Sequence, residues 1–283
     1  MRGVLSCGGG NQAACSGSFL AESNTSDYSY TYSQYTGELA LISAAHPANT
    51  VLATAVANLA SGNKPGPGGT VQVTAADAQI ALGNDVSGCF TSTGTLTGGC
   101  GTAYDGVVTL NIGLPLNYTA TLLGGEFSAI AGLEHEINEI LGGGGQGSVL
   151  NQIPCGGSKT DFPNVGVLDL YRYPSPGVPS FSSCNGTNAS LSVDGGVSDI
   201  VTFNNNPSAD LADFLPNGFV QSAFASPGSL PGYTTSTPEF PMMESIGYDG
   251  ATATVPEPAS LALLGSGLAS ILAVRRRRAR KLQ

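Results

Sequence analysis

The sequence predicts an α+β protein, and three observations point that way. Residues 37–59 and 126–145 carry helical patterns, the second with apolar residues recurring at spacings of three and four. Short runs such as TVQVT (70–74) and VVTLNIGLPL (107–116), bounded by Gly, Asp and Asn, read as strands. Beyond Gly145 the chain is mostly loops and short extended pieces.

In order, residues 1–36 are rich in Gly, Ser, Tyr and Thr and form a poorly defined N-terminal segment. They show no charged stretch followed by an apolar one, so they are not a secretory signal as written, and the true start is expected upstream. Residues 37–59 are helical but broken at Pro47, with His46 at the break as a surface or capping residue. The SGNKPGPGG run is a loop. A strand over 70–74 follows, then a short helix capped by Thr74, with Asp77 in its first turn and its end at Gly83. A turn at Asp105-Gly106 leads into the 107–116 strand, taken as the last element before the 126–145 helix, which stops at a glycine run. Further on, residues 165–177 form the densest island, 191–206 a strand, a turn at Asp194-Gly195 and a second strand, and 237–247 a helix.

At 283 residues the chain can bury a substantial core, and it divides into a body at 37–250 and a tail at 251–283. The net charge of -10 conceals an asymmetry: six of the ten basic residues lie in the last nine positions. Only Arg2, Lys64, Lys159 and Arg172 precede them, so the body lacks the basic patch that a phosphate backbone demands, and nucleic acid is not an expected partner. The six cysteines are spaced too widely for a metal knuckle and sit in loop-like surroundings. They read as disulfides of an oxidising compartment, with Cys7–Cys15, Cys89–Cys100 and Cys155–Cys184 one of several pairings.

The 126–145 helix carries the chemistry. His135 and Glu139 stand four apart, one above the other, and can offer a nitrogen and an oxygen to one divalent ion, while Glu136 sits about 100° round the helix. This is the logic of H-E-x-x-H zinc hydrolases, with Glu in the place of the second His. On it, Glu136 is a general base that draws a proton from a metal-activated water and returns it to a leaving amine, so that a peptide bond is hydrolysed. Tyr171, Arg172 and Tyr173 are candidates to hold the developing oxyanion. The competing reading is an amphipathic helix whose charged face is solvated.

The tail has three parts in series: Pro256-Glu257-Pro258, then Ala259 to Val274 as 16 uncharged, mostly apolar residues, then the arginine cluster. At about 1.5 Å each, those residues make a marginal membrane span against a hydrocarbon core of about 30 Å. This order resembles the PEP-CTERM sorting signal of exopolysaccharide-producing Gram-negative bacteria. The resemblance implies export, transient anchoring in the inner membrane, recognition by an exosortase and release to the cell surface.

The body, through EHEINEILG (134–142), DLYRYPSPG (169–177), VDGGVSDIVTFN (193–204) and MESIGYD (243–249), resembles a PEP-CTERM-associated metalloprotease family of zincin type. That likeness implies a zincin-like fold, with a short mixed sheet over the active-site helix and an edge strand at 107–112 along the substrate cleft. It also implies a metalloendopeptidase acting on a protein or peptide with zinc or another divalent ion. Glu139 and Gly145 stand where the metzincin pattern has histidines, so a further ligand has to come from elsewhere; Asp169 is the first choice and Asp161 the second. The alternative from another class is a non-catalytic surface or matrix protein that binds exopolysaccharide, any ion then being structural, as calcium would be in acidic loops such as 194–199.

Overall fold

The computed structural model describes residues 5–7, 19–61, 65, 68–84, 86–91, 93–97, 99–102, 104–150, 164–181, 188–206 and 209–250. Its elements are β1 (Leu5–Cys7), β2 (Ala21–Thr25), β3 (Asp27–Thr31), α1 (Tyr32–Ala45), α2 (Thr50–Ser61), β4 (Thr70–Thr74), α3 (Ala75–Ile80) and β5 (Gly106–Asn111). They continue with β6 (Leu116–Asn117), β7 (Phe127–Ser128), α4 (Ala129–Ile140), β8 (Asn164–Gly166), β9 (Arg172–Tyr173), β10 (Ser190–Leu191), β11 (Val201–Thr202) and α5 (Glu239–Ser245). The architecture is α+β, with short sheets and few helices.

Residues 19–36, read from sequence as poorly defined, supply two strands and the first turn of α1. The helix starts at Tyr32 rather than Gly37 because Thr31 and Gln34 form a reciprocal capping box: the Gln34 amide donates to Thr31 Oγ1 at 3.2 Å and the Thr31 amide to Gln34 Oε1 at 2.9 Å. Tyr35 and Leu39 of this helix are fully buried. They join Leu52, Ala55 and Leu59 of α2, Val71 and Val73 of β4, and Met242 and Ile246 at α5 in the main core. The body therefore begins ahead of Gly37.

Other expectations are met. The 37–59 pattern is two helices separated at His46-Pro47, and Thr74 caps α3 by accepting from the Asp77 amide at 3.1 Å. The 191–206 segment forms an antiparallel pair, β10 with β11. Between β5 and the helix at 126–145 the chain inserts the small parallel pair β6 and β7, which sequence reading passed over. Cys89 and Cys100 are joined by a disulfide. The other two pairings lie outside the described residues, as do Asp161 and the tail from 251 onward. Among the described residues no helix is long and apolar enough to cross a membrane.

Two sheets place the site. In one, β4 lies between β3, antiparallel to it, and β8, parallel to it. In the other, β5 is central, parallel to β1 and antiparallel to β2, with Ser23 opposite Val108. β2 is thus an outer strand of its sheet. Helix α4 packs beside it through small residues: a Cβ on Gly132 would meet the Leu20 side chain at 3.4 Å.

Candidate metal centre

Helix α4 begins at Ser128, whose Oγ accepts from the Ala131 amide at 3.1 Å, and ends where Gly142 adopts φ 93°. Both of its faces are covered. Ile140 is buried with Leu133, Ile137 and Leu141 packed around it, as apolar spacing suggests, although Ile130 is 40% exposed. On the polar face Glu136 is 6%, Asn138 3% and Glu139 4% exposed, so these carboxylates are not a solvated surface. They line a cleft of about 740 Å³ together with residues of β2 and of the loop that follows β11.

Within the cleft His135 is held in one orientation. Its Nδ1–H donates to the Val220 carbonyl at 2.8 Å, which turns Nε2 toward Glu139 Oε1 at 3.4 Å and Asp213 Oδ2 at 3.5 Å. The Gln221 amide nitrogen lies 3.2 Å from His135 Nε2 and donates to Asp213 Oδ1 at 2.9 Å. Gln221 is fixed in turn by Asn138, which donates to its Oε1 at 2.8 Å, and by Glu239, which accepts from its backbone amide. Glu139 is gripped at both oxygens: Ser23 Oγ donates to Oε2 at 2.5 Å and the Gly145 amide to Oε1 at 3.2 Å.

The glycine run after α4 is part of this construction. A Cβ on Gly144 would fall 1.9 Å from the Gln221 amide nitrogen, and one on Gly145 would fall 2.5 Å from Glu139 Oε1 and 2.8 Å from Asp210 Cβ. The backbone there approaches the site more closely than any side chain would permit.

Two groups converge tightly enough to share an ion: His135 with Glu136 and Glu139, and Glu139 with Asp210 and Asp213. The donor set fits a divalent cation. Burial alone would lower the His135 imidazole, but the charges of Asp213 and Glu139 outweigh it and raise its proton affinity well above the usual value. A site that draws a proton so strongly onto its histidine is short of positive charge, which a cation supplies. Burial and the adjacent Glu139 likewise push the Glu136 carboxyl well above the ordinary range.

Of the residues named from sequence, the structure brings together His135, Glu136 and Glu139 and keeps Asp169 apart. Asp169 is fully buried in the 3-10 turn Leu168–Tyr171, where its oxygens accept from Ser148 Oγ at 2.6 Å, the Gly166 amide at 2.8 Å and the Val149 amide at 3.1 Å. Its role is to tie that turn to the backbone around it. The residues near the histidine are instead Asp213 and Asp210, in a loop pinned by Asn204, whose Nδ2 donates to the carbonyls of Asn206 and Asp210. The Asp210-Leu-Ala-Asp213 spacing was the available signal.

Two further expectations are corrected, and the one for His46 as a surface or capping residue is met. Tyr171, Arg172 and Tyr173 are core residues: the Tyr171 hydroxyl donates to the Ser245 carbonyl, Arg172 Nη1 donates to the Leu211 carbonyl beneath the Phe203 ring, and the Tyr173 hydroxyl accepts from Asn58. None of them lines the cleft. The strand along the cleft is β2 and not β5, because β5 has neighbours on both sides. His46 pairs with Asp249 at 2.7 Å at the surface and belongs to neither ligand group.

Residues 254–278 match the PEP-CTERM protein-sorting motif. The tail is a sorting signal. It implies export, recognition by an exosortase and a location at the cell surface. No curated protein and no solved structure matches the chain.

Proposed function

We propose that the protein is an exported, metal-dependent peptidase of zincin type. The observation that carries the reading is the burial of the α4 polar face beneath a cleft, with an orientated histidine and several carboxylates around one point. In that reading His135, Glu139 and Asp213 hold a divalent ion, zinc or another, Asp213 replacing Asp169. Bound there, the ion would lower the pKa of a water and polarise a scissile carbonyl.

The chain's own groups do the rest. Glu136, set beside the ligand group on the same helix and close to Glu139, accepts a proton from the attacking water and delivers it to the leaving amine. Ser23 and the Gly145 amide hold Glu139 in place, and Val220 fixes the histidine tautomer. As an outer strand bordering the cleft, β2 offers backbone groups to an extended peptide, which would add to the sheet as a further strand.

The test is peptide cleavage by the full-length protein against its Glu136→Gln variant. We expect a loss of about 100-fold or more with the metal retained, the usual effect of removing a general base. Equal rates would remove the proposal and leave a non-catalytic surface protein as the better account.

A further inference from the structure

The cleft also bears on which peptides it takes. Among the described residues its lining contains five carboxylates, Glu22, Glu136, Glu139, Asp210 and Asp213, and no lysine or arginine. Of the four basic residues ahead of the tail, Arg172 is buried elsewhere and the other three lie outside the described residues. A divalent ion would offset only part of that charge. Two of the carboxylates stand outside the proposed ligand set and the general base: Glu22 on β2, exposed, and Asp210 in the loop after β11. In a partly enclosed cleft such groups focus their field on whatever enters.

The lining also carries aromatic rings among its serines and amides. Phe127, Phe219 and Phe224 face the cleft, and Phe224 remains 44% exposed there. Phe219 is fixed by an edge-to-face contact, 6.2 Å between centroids, with the fully buried Phe214. An exposed aromatic surface beside a ring of carboxylates suits a side chain of bulky apolar type with a cation nearby.

We infer that the cleft selects extended peptides in which a large apolar residue is flanked by Lys or Arg, and that Glu22 is a specificity-determining residue. This rests on the reading of the cleft as the peptide site, but not on hydrolysis occurring. An acidic peptide would meet uncompensated like charge along β2, while a basic one gains an ion pair with Glu22 at the strand it is expected to join.

The experiment is equilibrium binding, by fluorescence anisotropy, of two labelled peptides that differ only in whether a central Phe is flanked by Lys or by Glu. The full-length protein and its Glu22→Lys variant are compared at about 50 mM salt, where surface charge is weakly screened. The substitution lies at an exposed position, and the Arg-rich tail is common to both proteins, so its effect on peptide binding cancels. The inference expects the Lys peptide to bind wild type at least tenfold more tightly than it binds Glu22→Lys, and the gap to shrink at 0.5 M salt. Equal affinity of the Lys peptide for both proteins overturns it. If the Lys peptide binds as expected but is not cleaved, the specificity stands and the peptidase reading falls.

Discussion

Two aspartates with similar burial have opposite consequences. Asp169 satisfies three donors inside the fold, so Asp169→Ala leaves Ser148 Oγ and two amides without their acceptor and should cost about 3 kcal/mol of stability, with metal affinity of the folded protein unchanged. Asp213→Ala should do the reverse. It removes a carboxylate from beside His135 Nε2 and lowers metal affinity at least tenfold, while metal-free melting moves little because the residue otherwise meets only His135, Gln221 and the acidic group around them. Calorimetric melting and metal titration of both variants separate the two roles. The convergence of the histidine and both glutamates is legible from helical spacing alone, since i, i+4 geometry is local. Sequence reading also groups Asp169 with them, which the fold keeps apart, because that placement depends on tertiary contacts: no pattern around Asp169 reveals that three protein donors surround it.

Helix α4 is legible in its extent, its stop at the glycine run and its apolar face, where Leu133, Ile137 and Leu141 pack around the buried Ile140. The burial of its polar face as well does not follow from pattern. The polar face is buried because β2 and the loop after β11 cover it with matching donors, Ser23 and Gln221, both remote in sequence. The glycines that end the helix are constrained by the same packing. Gly144 has φ 54° and no room for a Cβ against Gln221, so Gly144→Ala is expected to cost roughly 1–3 kcal/mol and to displace the Gln221 amide from His135 and Asp213. Urea denaturation measures the first effect, and metal affinity, lowered in parallel, measures the second. The start of α1 shows the converse. The Thr31-Gln34 capping box is visible in the sequence and sets the start of the helix ahead of Gly37.

For the whole molecule, the α+β architecture and the exported destination were both readable, the first from alternating patterns and the second from three ordered signals in the tail. Sheet order was not, because β1, β5 and β2 come together from distant parts of the chain. Global stability carries one further signature. Asp77 is fully buried at the start of α3, and neither of its oxygens has a hydrogen-bond partner among the described residues. Burial raises its proton affinity well above the ordinary carboxyl value. A group whose folded pKa is raised contributes stability that is complete below the unfolded value near 4 and is lost as pH rises toward the folded one. The wild-type protein is therefore expected to lose stability relative to Asp77→Asn as pH rises above about 4, a difference read by denaturant unfolding at each pH.

The proposed peptidase depends on a divalent ion held by His135, Glu139 and Asp213 under the cleft. Elemental analysis of dialysed full-length protein beside its His135→Ala variant measures that ion. A single divalent ion per folded wild-type chain and none in the variant is the expected result. Metal-free wild type, or an ion retained at full stoichiometry without the imidazole, would contradict it.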